Sequence, residues 1–191
     1  MTAPPNASPL IVGFGGTTRA DSSSERLVRA VLAETERSGA RTRMFDGPAL
    51  EALPHFSPGD PARCDEQAAF VEAIRAADGI VIGSPGYHGG VSGLVKNAID
   101  LIEDTRTDTR VYLDGLPVGL IVSAAGWQAG GVTLSSLRSI VHAMRGWPTP
   151  IGISVNTLSQ TLFDASGQLV DEAVRAAVEG QARQIMRLAG G

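Results

Sequence analysis

Short apolar runs alternate with amphipathic helical patterns from residue 10 to residue 188, and that alternation narrows the fold to one class. Strands are expected at residues 10–14, 41–46, 79–83, 117–124 and 150–155, and helices at 22–38, 65–77, 93–103, 133–145 and 171–188. Leu27, Val28, Val31 and Leu32 share one face of the first helix; Leu134, Leu137, Ile140, Val141 and Met144 share one stripe of the fourth. Gly39 stops the first helix, and Asp65 is placed to cap the second. Residues 47–64 hold four prolines and read as a loop. Successive strand–helix units imply a parallel α/β sheet covered on both faces, because a parallel connection needs a crossover that a helix supplies. Five strands favour the order 2-1-3-4-5, with a ligand crevice at the switch point between strands one and three.

At 191 residues the chain is the size of one domain, taken as residues 1–191, with no internal repeat. Its 23 glycines exceed the average share of roughly 7%. Ten of them fall in three clusters: Gly13, Gly15 and Gly16; Gly86, Gly89, Gly90 and Gly93; Gly126, Gly130 and Gly131. The clusters follow strands one, three and four, which are neighbours in this order. They are therefore expected to converge on one site beyond the carboxyl ends of the strands, where backbone meets ligand closely.

A net charge of −4 gives nucleic-acid binding no electrostatic basis. Lys96 is the single lysine among 16 cations, a bias toward arginine that fits coding composition. Cys64 is the single cysteine, which excludes an internal disulfide and fits a reducing cytoplasm. The start of the chain, residues 1–8, is polar and lacks the pattern of a secretory signal, and no run approaches the roughly 20 apolar residues of a membrane span. A soluble cytoplasmic protein is expected. His55, His88 and His142 are scattered without metal-ligand spacing, and residues 90–93 miss the second glycine of a nucleophile elbow.

Residues 15–24 read Gly-Gly-Thr-Thr-Arg-Ala-Asp-Ser-Ser-Ser and run from a strand into a helix. Hydroxyls, a guanidinium and unpaired helix N–H groups make an anion site there. A Walker loop would need a lysine, and Thr18 stands where a dinucleotide fingerprint needs its third glycine. Asp46, ending strand two, keeps a ribose-binding variant of that reading open.

Residues 84–100 read Ser-Pro-Gly-Tyr-His-Gly-Gly-Val-Ser-Gly-Leu-Val-Lys-Asn-Ala-Ile-Asp. This stretch resembles the flavin-ring loop of the NADPH-dependent FMN reductase family: Ser-Pro-x-Tyr, then small residues, then Ser-Gly-x-x-Lys-Asn. The first loop is similar to that family's phosphate loop, Gly-Ser-x-Arg-x-x-Ser, with Thr17 in place of the serine. The likeness runs from about residue 9 to residue 156, roughly three quarters of the chain.

The resemblance implies a flavodoxin-like three-layer sandwich binding FMN, with NADPH or NADH as cosubstrate. It assigns Thr17, Arg19, Ser22, Ser23 and Ser24 to the phosphate. It assigns Pro85, Gly86, Tyr87, His88 and the Gly89 amide to the ring, and Ala125, Gly126 and Trp127 to its pyrimidine side. Trp127 is bulkier than the family's usual Thr-Gly-Gly. Lys96 would close the loop onto its helix. Hydride would pass from nicotinamide to flavin with no catalytic side chain, since the cofactor carries the reactivity. The acceptor would be free FMN destined for a monooxygenase, or a quinone, azo or nitro compound. A homodimer or homotetramer is implied, with Arg106, Arg110, Trp127 and Trp147 at an interface or on the nicotinamide side. A flavodoxin-type electron carrier is the alternative of a different class; Arg19 in the phosphate loop weighs against it.

Overall fold

The central strands of the sheet are apolar along nearly their whole length because helices cover both faces. In a computed structural model describing residues 8–189 the elements are β1 (Leu10–Gly15), α1 (Ser23–Arg37), β2 (Arg41–Phe45), α2 (Gly47–Glu51), α3 (Asp65–Ala76), β3 (Gly79–Tyr87), β4 (Gly90–Val91), α4 (Gly93–Leu101), β5 (Pro117–Ala124), α5 (Trp127–Ala143), β6 (Trp147–Asn156) and α6 (Glu172–Ala189). The expectation about the start of the chain falls, for residues 1–7, outside the described residues.

The main sheet runs β2-β1-β3-β5-β6 and all its pairings are parallel. Counted over these five strands it is the expected order, in a flavodoxin-like α/β fold. Side chains alternate between two cores with the strand period of two. Val12, Phe14, Ile80 and Ile82 enter one, with Phe70 and Leu137; Ile11, Val81, Ile121 and Ile153 enter the other, with Leu27, Val28 and Ile185.

Several boundaries differ from the expected ones, each for a local reason. The proline-rich segment begins with a short helix, α2. Asp46 Oδ1 accepts the Ala49 N–H at 3.1 Å, and Pro48 sits in the first turn, where its missing N–H costs nothing. α3 is capped by Cys64 rather than Asp65; the Cys64 N–H donates to Gln67 Oε1 at 3.2 Å. α4 stops at Leu101 and tightens into a 3-10 turn, Ile102–Thr105. β6 begins at Trp147 and tolerates Pro148 and Pro150 because it is an edge strand.

Two further differences bear on the site. β3 continues to Tyr87 and folds back antiparallel onto β4, so Tyr87 pairs with Gly90. The two turn residues, His88 and Gly89, have φ of 53° and 76°, the left-handed pair that a two-residue hairpin needs. α5 begins at Trp127, six residues early, so Gly130 and Gly131 are helical rather than looped. Gly130 and Gly13 are correspondingly packing glycines. A Cβ on Gly13 would stand 2.7 Å from both Leu32 and Val28 of α1, and one on Gly130 would collide with Ser154 of β6.

Candidate functional site

A cleft of about 630 Å³ opens beyond the carboxyl ends of β1, β3 and β5. Its first wall is the loop from β1 into α1. Thr17 Oγ1 accepts the Arg19 N–H at 3.1 Å, which curls this loop, and Asp21 is left-handed at φ 59°. Ser22 occupies the N-cap of α1 but makes no capping bond; its hydroxyl is paired with Ser24 Oγ at 3.0 Å. The first-turn amides of α1 are thus left without a side-chain acceptor at the end of the cleft that Ser22 and Ser23 line. Arg19 is exposed there, and no ion pair among the described residues involves it. Asp21 is the one acid in the lining.

The opposite wall is Pro85, Gly86, Tyr87 and His88, and its shape is set by the polar residues of the same motif. Ser84 Oγ accepts the Ser92 N–H at 3.1 Å, tying the two ends of the hairpin together. Ser92 caps α4 by accepting from Val95 N at 3.3 Å. Asn97 accepts from Phe56 N at 2.8 Å and donates to the carbonyls of Leu53 and Pro54, holding the proline-rich segment. Gly86 is buried, and a Cβ on it would lie 3.1 Å from Thr133 Oγ1, a buried hydroxyl with no partner. The floor is small: Ser123, Ala124, Ala125 and Gly126.

Of the residues named from sequence, Thr17, Arg19, Ser22, Ser23, Pro85, Gly86, Tyr87, His88, Ala125 and Gly126 line this one cleft. Ser24 is fully buried beneath it, and Gly89 sits at the hairpin turn against Val132. Trp127 is 58% exposed on the first turn of α5, outside the lining. Thr157 and Leu158 also line the cleft, from the end of β6. The Thr157 N–H reaches across to the Ala124 carbonyl at 2.9 Å. Nothing in their local sequence signals this; the adjacency of β6 to β5 does.

Several side chains have other work. Both oxygens of Asp46 are committed, Oδ1 to capping α2 and Oδ2 to Arg29 at 2.9 Å, which removes the ribose-binding variant. Lys96 pairs with Asp100 at 2.6 Å along α4 and does not close the loop. The Arg110 guanidinium donates to the carbonyls of Ala77, Ile74 and Arg75 at 2.6–2.7 Å, sealing the end of α3. Burial lowers its pKa, against the raising influence of Asp78 and Asp108. It is not free for an interface or a nucleotide.

A larger hollow, about 900 Å³, lies between the proline-rich segment and α4. Its arginines and its lysine are all taken up in ion pairs, Arg63 with Asp104, Arg75 with Glu72 and Asp108, Arg106 with Glu103 and Lys96 with Asp100. The uncompensated guanidinium and uncapped helix belong to the smaller cleft. No cluster able to hold a metal ion occurs among the described residues.

The model of the NADPH-dependent FMN reductase family matches residues 9–158. The FMN-dependent NADPH-azoreductase of Staphylococcus haemolyticus is 35% identical over 103 residues, 54% of this chain and 51% of that protein. An iron-sulfur flavoprotein of Archaeoglobus fulgidus is 30% identical over 105 residues, 55% of this chain and 51% of that protein. The chain thus spans about half the length of these curated relatives. Among solved structures, the flavoenzyme NAD(P)H:(acceptor) oxidoreductase FerB of Paracoccus denitrificans superposes with a TM-score of 0.75 at 17% identity, over 94% of this chain and 98% of that one. At that identity the likeness is one of fold.

Proposed function

Because this chain belongs to the NADPH-dependent FMN reductase family, we propose that it is an NAD(P)H-dependent oxidoreductase built as one FMN-binding domain over residues 1–191, with FMN in the cleft between α1 and the β3–β4 hairpin. One observation carries the placement. The uncapped amino end of α1, with the unpaired Arg19, stands at a cleft whose floor is built of the small residues Ser123, Ala124, Ala125 and Gly126. The donor set fits a phosphate monoester, and the stretch Pro85–His88 with Ala125 and Gly126 fits a planar ring. When bound, FMN supplies the redox chemistry between a reduced nicotinamide and an acceptor.

The chain's own residues hold and orient. Thr17, Arg19, Ser22 and Ser23 take the phosphate, while Ser24 shapes the turn from below through Ser22. Backbone N–H groups of the hairpin turn and of residues 125–126 would be the donors for negative charge on a bound ring. Tyr87 and Leu158 are exposed at the cleft and offer apolar surface that a bound ring would cover. His88 is held by its turn as a contact, and no side chain acts as acid or base. The relatives named as azoreductases favour a small azo acceptor, with a quinone or nitro compound as variants of the same reading; free FMN delivered to a monooxygenase is the second choice. A cytoplasmic location and a homodimer or homotetramer complete the reading. Among the described residues no helix is long and apolar enough to cross a membrane.

The test is to reconstitute the protein with FMN, remove the excess by gel filtration and titrate NADPH anaerobically. Flavin absorbance should be retained and should bleach, with steady-state turnover on an azo or quinone acceptor. Bleaching without turnover would leave the carrier reading standing, and neither retention nor reduction would end the proposal. Arg19→Ala should weaken FMN binding by about tenfold, a charged hydrogen bond discounted for its exposure. Unchanged affinity by fluorescence titration would move the phosphate elsewhere.

A further inference from the structure

We propose a second binding site, for a small aromatic carboxylate, in the groove between the last turns of α5 and the start of β6. The groove is shallow and open to solvent, with a volume of about 600 Å³, and Arg138, Ser139, His142, Trp147, Pro148 and Pro150 line it. It lies at the amino end of β6, whereas the cleft borrows Thr157 and Leu158 from just past the carboxyl end. The 10 residues of β6, at roughly 3.3 Å each, separate the two by about 30 Å.

Charge selects an anion. Arg138 and His142 are four residues apart and share one face of α5. From residue 115 to residue 163 the sequence contains no Asp or Glu, in a chain that carries 20 of them, and no acid lines the groove. Arg138 Nη2 donates to the Pro150 carbonyl at 3.0 Å, which fixes the guanidinium and leaves its other donors open. Neither Arg138 nor His142 is spent on the end of the helix. The amides of Met144, Arg145 and Gly146 already take the carbonyls of Ile140, His142 and Val141.

The other wall selects a ring. Trp147 is 58% exposed and is followed in the chain by Pro148 and Pro150, which line the same groove. A peptide strand is a poor occupant of this edge. Pro148 and Pro150 have no N–H to offer. The Ile151 carbonyl already accepts from Thr149 Oγ1 and Gln181 Nε2, both at 2.8 Å, and the Ile151 N–H donates to Gln184 Oε1 at 2.9 Å. A flat ring bearing one carboxylate matches both walls at once.

Titration calorimetry of the FMN-saturated protein with 1-naphthoate tests this. One saturable site per chain is expected, weakened by salt, weakened about tenfold in Arg138→Gln, and weakened likewise in Trp147→Ala. The neutral 1-naphthamide and the ringless acetate should each bind at least about tenfold more weakly. Absence of saturation up to about 5 mM naphthoate, equal affinity in folded Arg138→Gln, or naphthamide binding as well as naphthoate would each overturn the site. So would release of FMN by the titrant, read from the flavin spectrum, which would place the binding in the cleft. If Arg138→Gln does not fold, the salt dependence and the naphthoate–naphthamide comparison on the unaltered protein decide the same point.

Discussion

Phe70→Ala is expected to lower the stability of the fold by about 3–5 kcal/mol. Phe70 comes from α3 and is fully buried. Its ring meets Phe14 of β1 edge-on at 5.4 Å and Phe45 of β2 at 5.1 Å, so one side chain joins a helix to two neighbouring strands. Truncation loses the transfer of the ring from water and leaves a void that Phe14 and Phe45, fixed on strands, are poorly placed to fill. The aromatic pair geometry goes with it. Against a typical total of about 5–15 kcal/mol this is a large fraction. Urea unfolding should show a lower midpoint with an unchanged slope. A loss below about 1 kcal/mol would mean that the aromatic cluster is not tightly packed.

Gly47→Ala should act on the cofactor more than on the fold. Gly47 opens α2, and a Cβ there would collide with the Thr17 carbonyl oxygen. That neighbour is backbone, so no rotamer change relieves the contact. The Gly47 N–H also donates to Glu25 Oε2 at 3.3 Å, which hinders α2 from backing away. The loop carrying Thr17 and Arg19 must shift, and all of its proposed phosphate contacts shift together. An overpacking cost of about 3 kcal/mol, paid mainly in the bound state, corresponds to roughly 100-fold weaker FMN. Flavin fluorescence titration beside thermal unfolding separates the two effects. Full FMN affinity in a destabilised protein would detach this loop from the site.

How much of this was readable beforehand follows from what each signal encodes. The strand order was readable because buried parallel strands must be apolar and their crossovers helical, and both patterns are local. The ends of elements were less so. Pro48 and Pro54 made residues 47–64 look uniformly irregular, although a first-turn proline is compatible with α2. Gly126, Gly130 and Gly131 made the start of α5 look like a loop, although Gly130 is glycine so that the helix can lie against Ser154. β3 looked finished at Gly83, because nothing short-range announces that His88 and Gly89 will turn it back on itself.

The same division runs through the site. The Thr-x-Arg loop, the Ser-Pro-Gly-Tyr stretch and their meeting at the switch point follow from residue order, since each sits directly after a strand whose neighbours the topology dictates. Partnerships across space were out of reach of residue order. Ser24 goes under the cleft because the face of α1 turns it there, and Asp46 is consumed by Arg29 and α2. Thr157 and Leu158 reach the cleft because β6 lies beside β5. Arg138 and Trp147 face one groove because a helix end and a strand start are packed side by side. Periodicity records which face of an element is buried. What that face meets is set by the packing of elements distant in the chain, and there the free side chains and the spent ones part company.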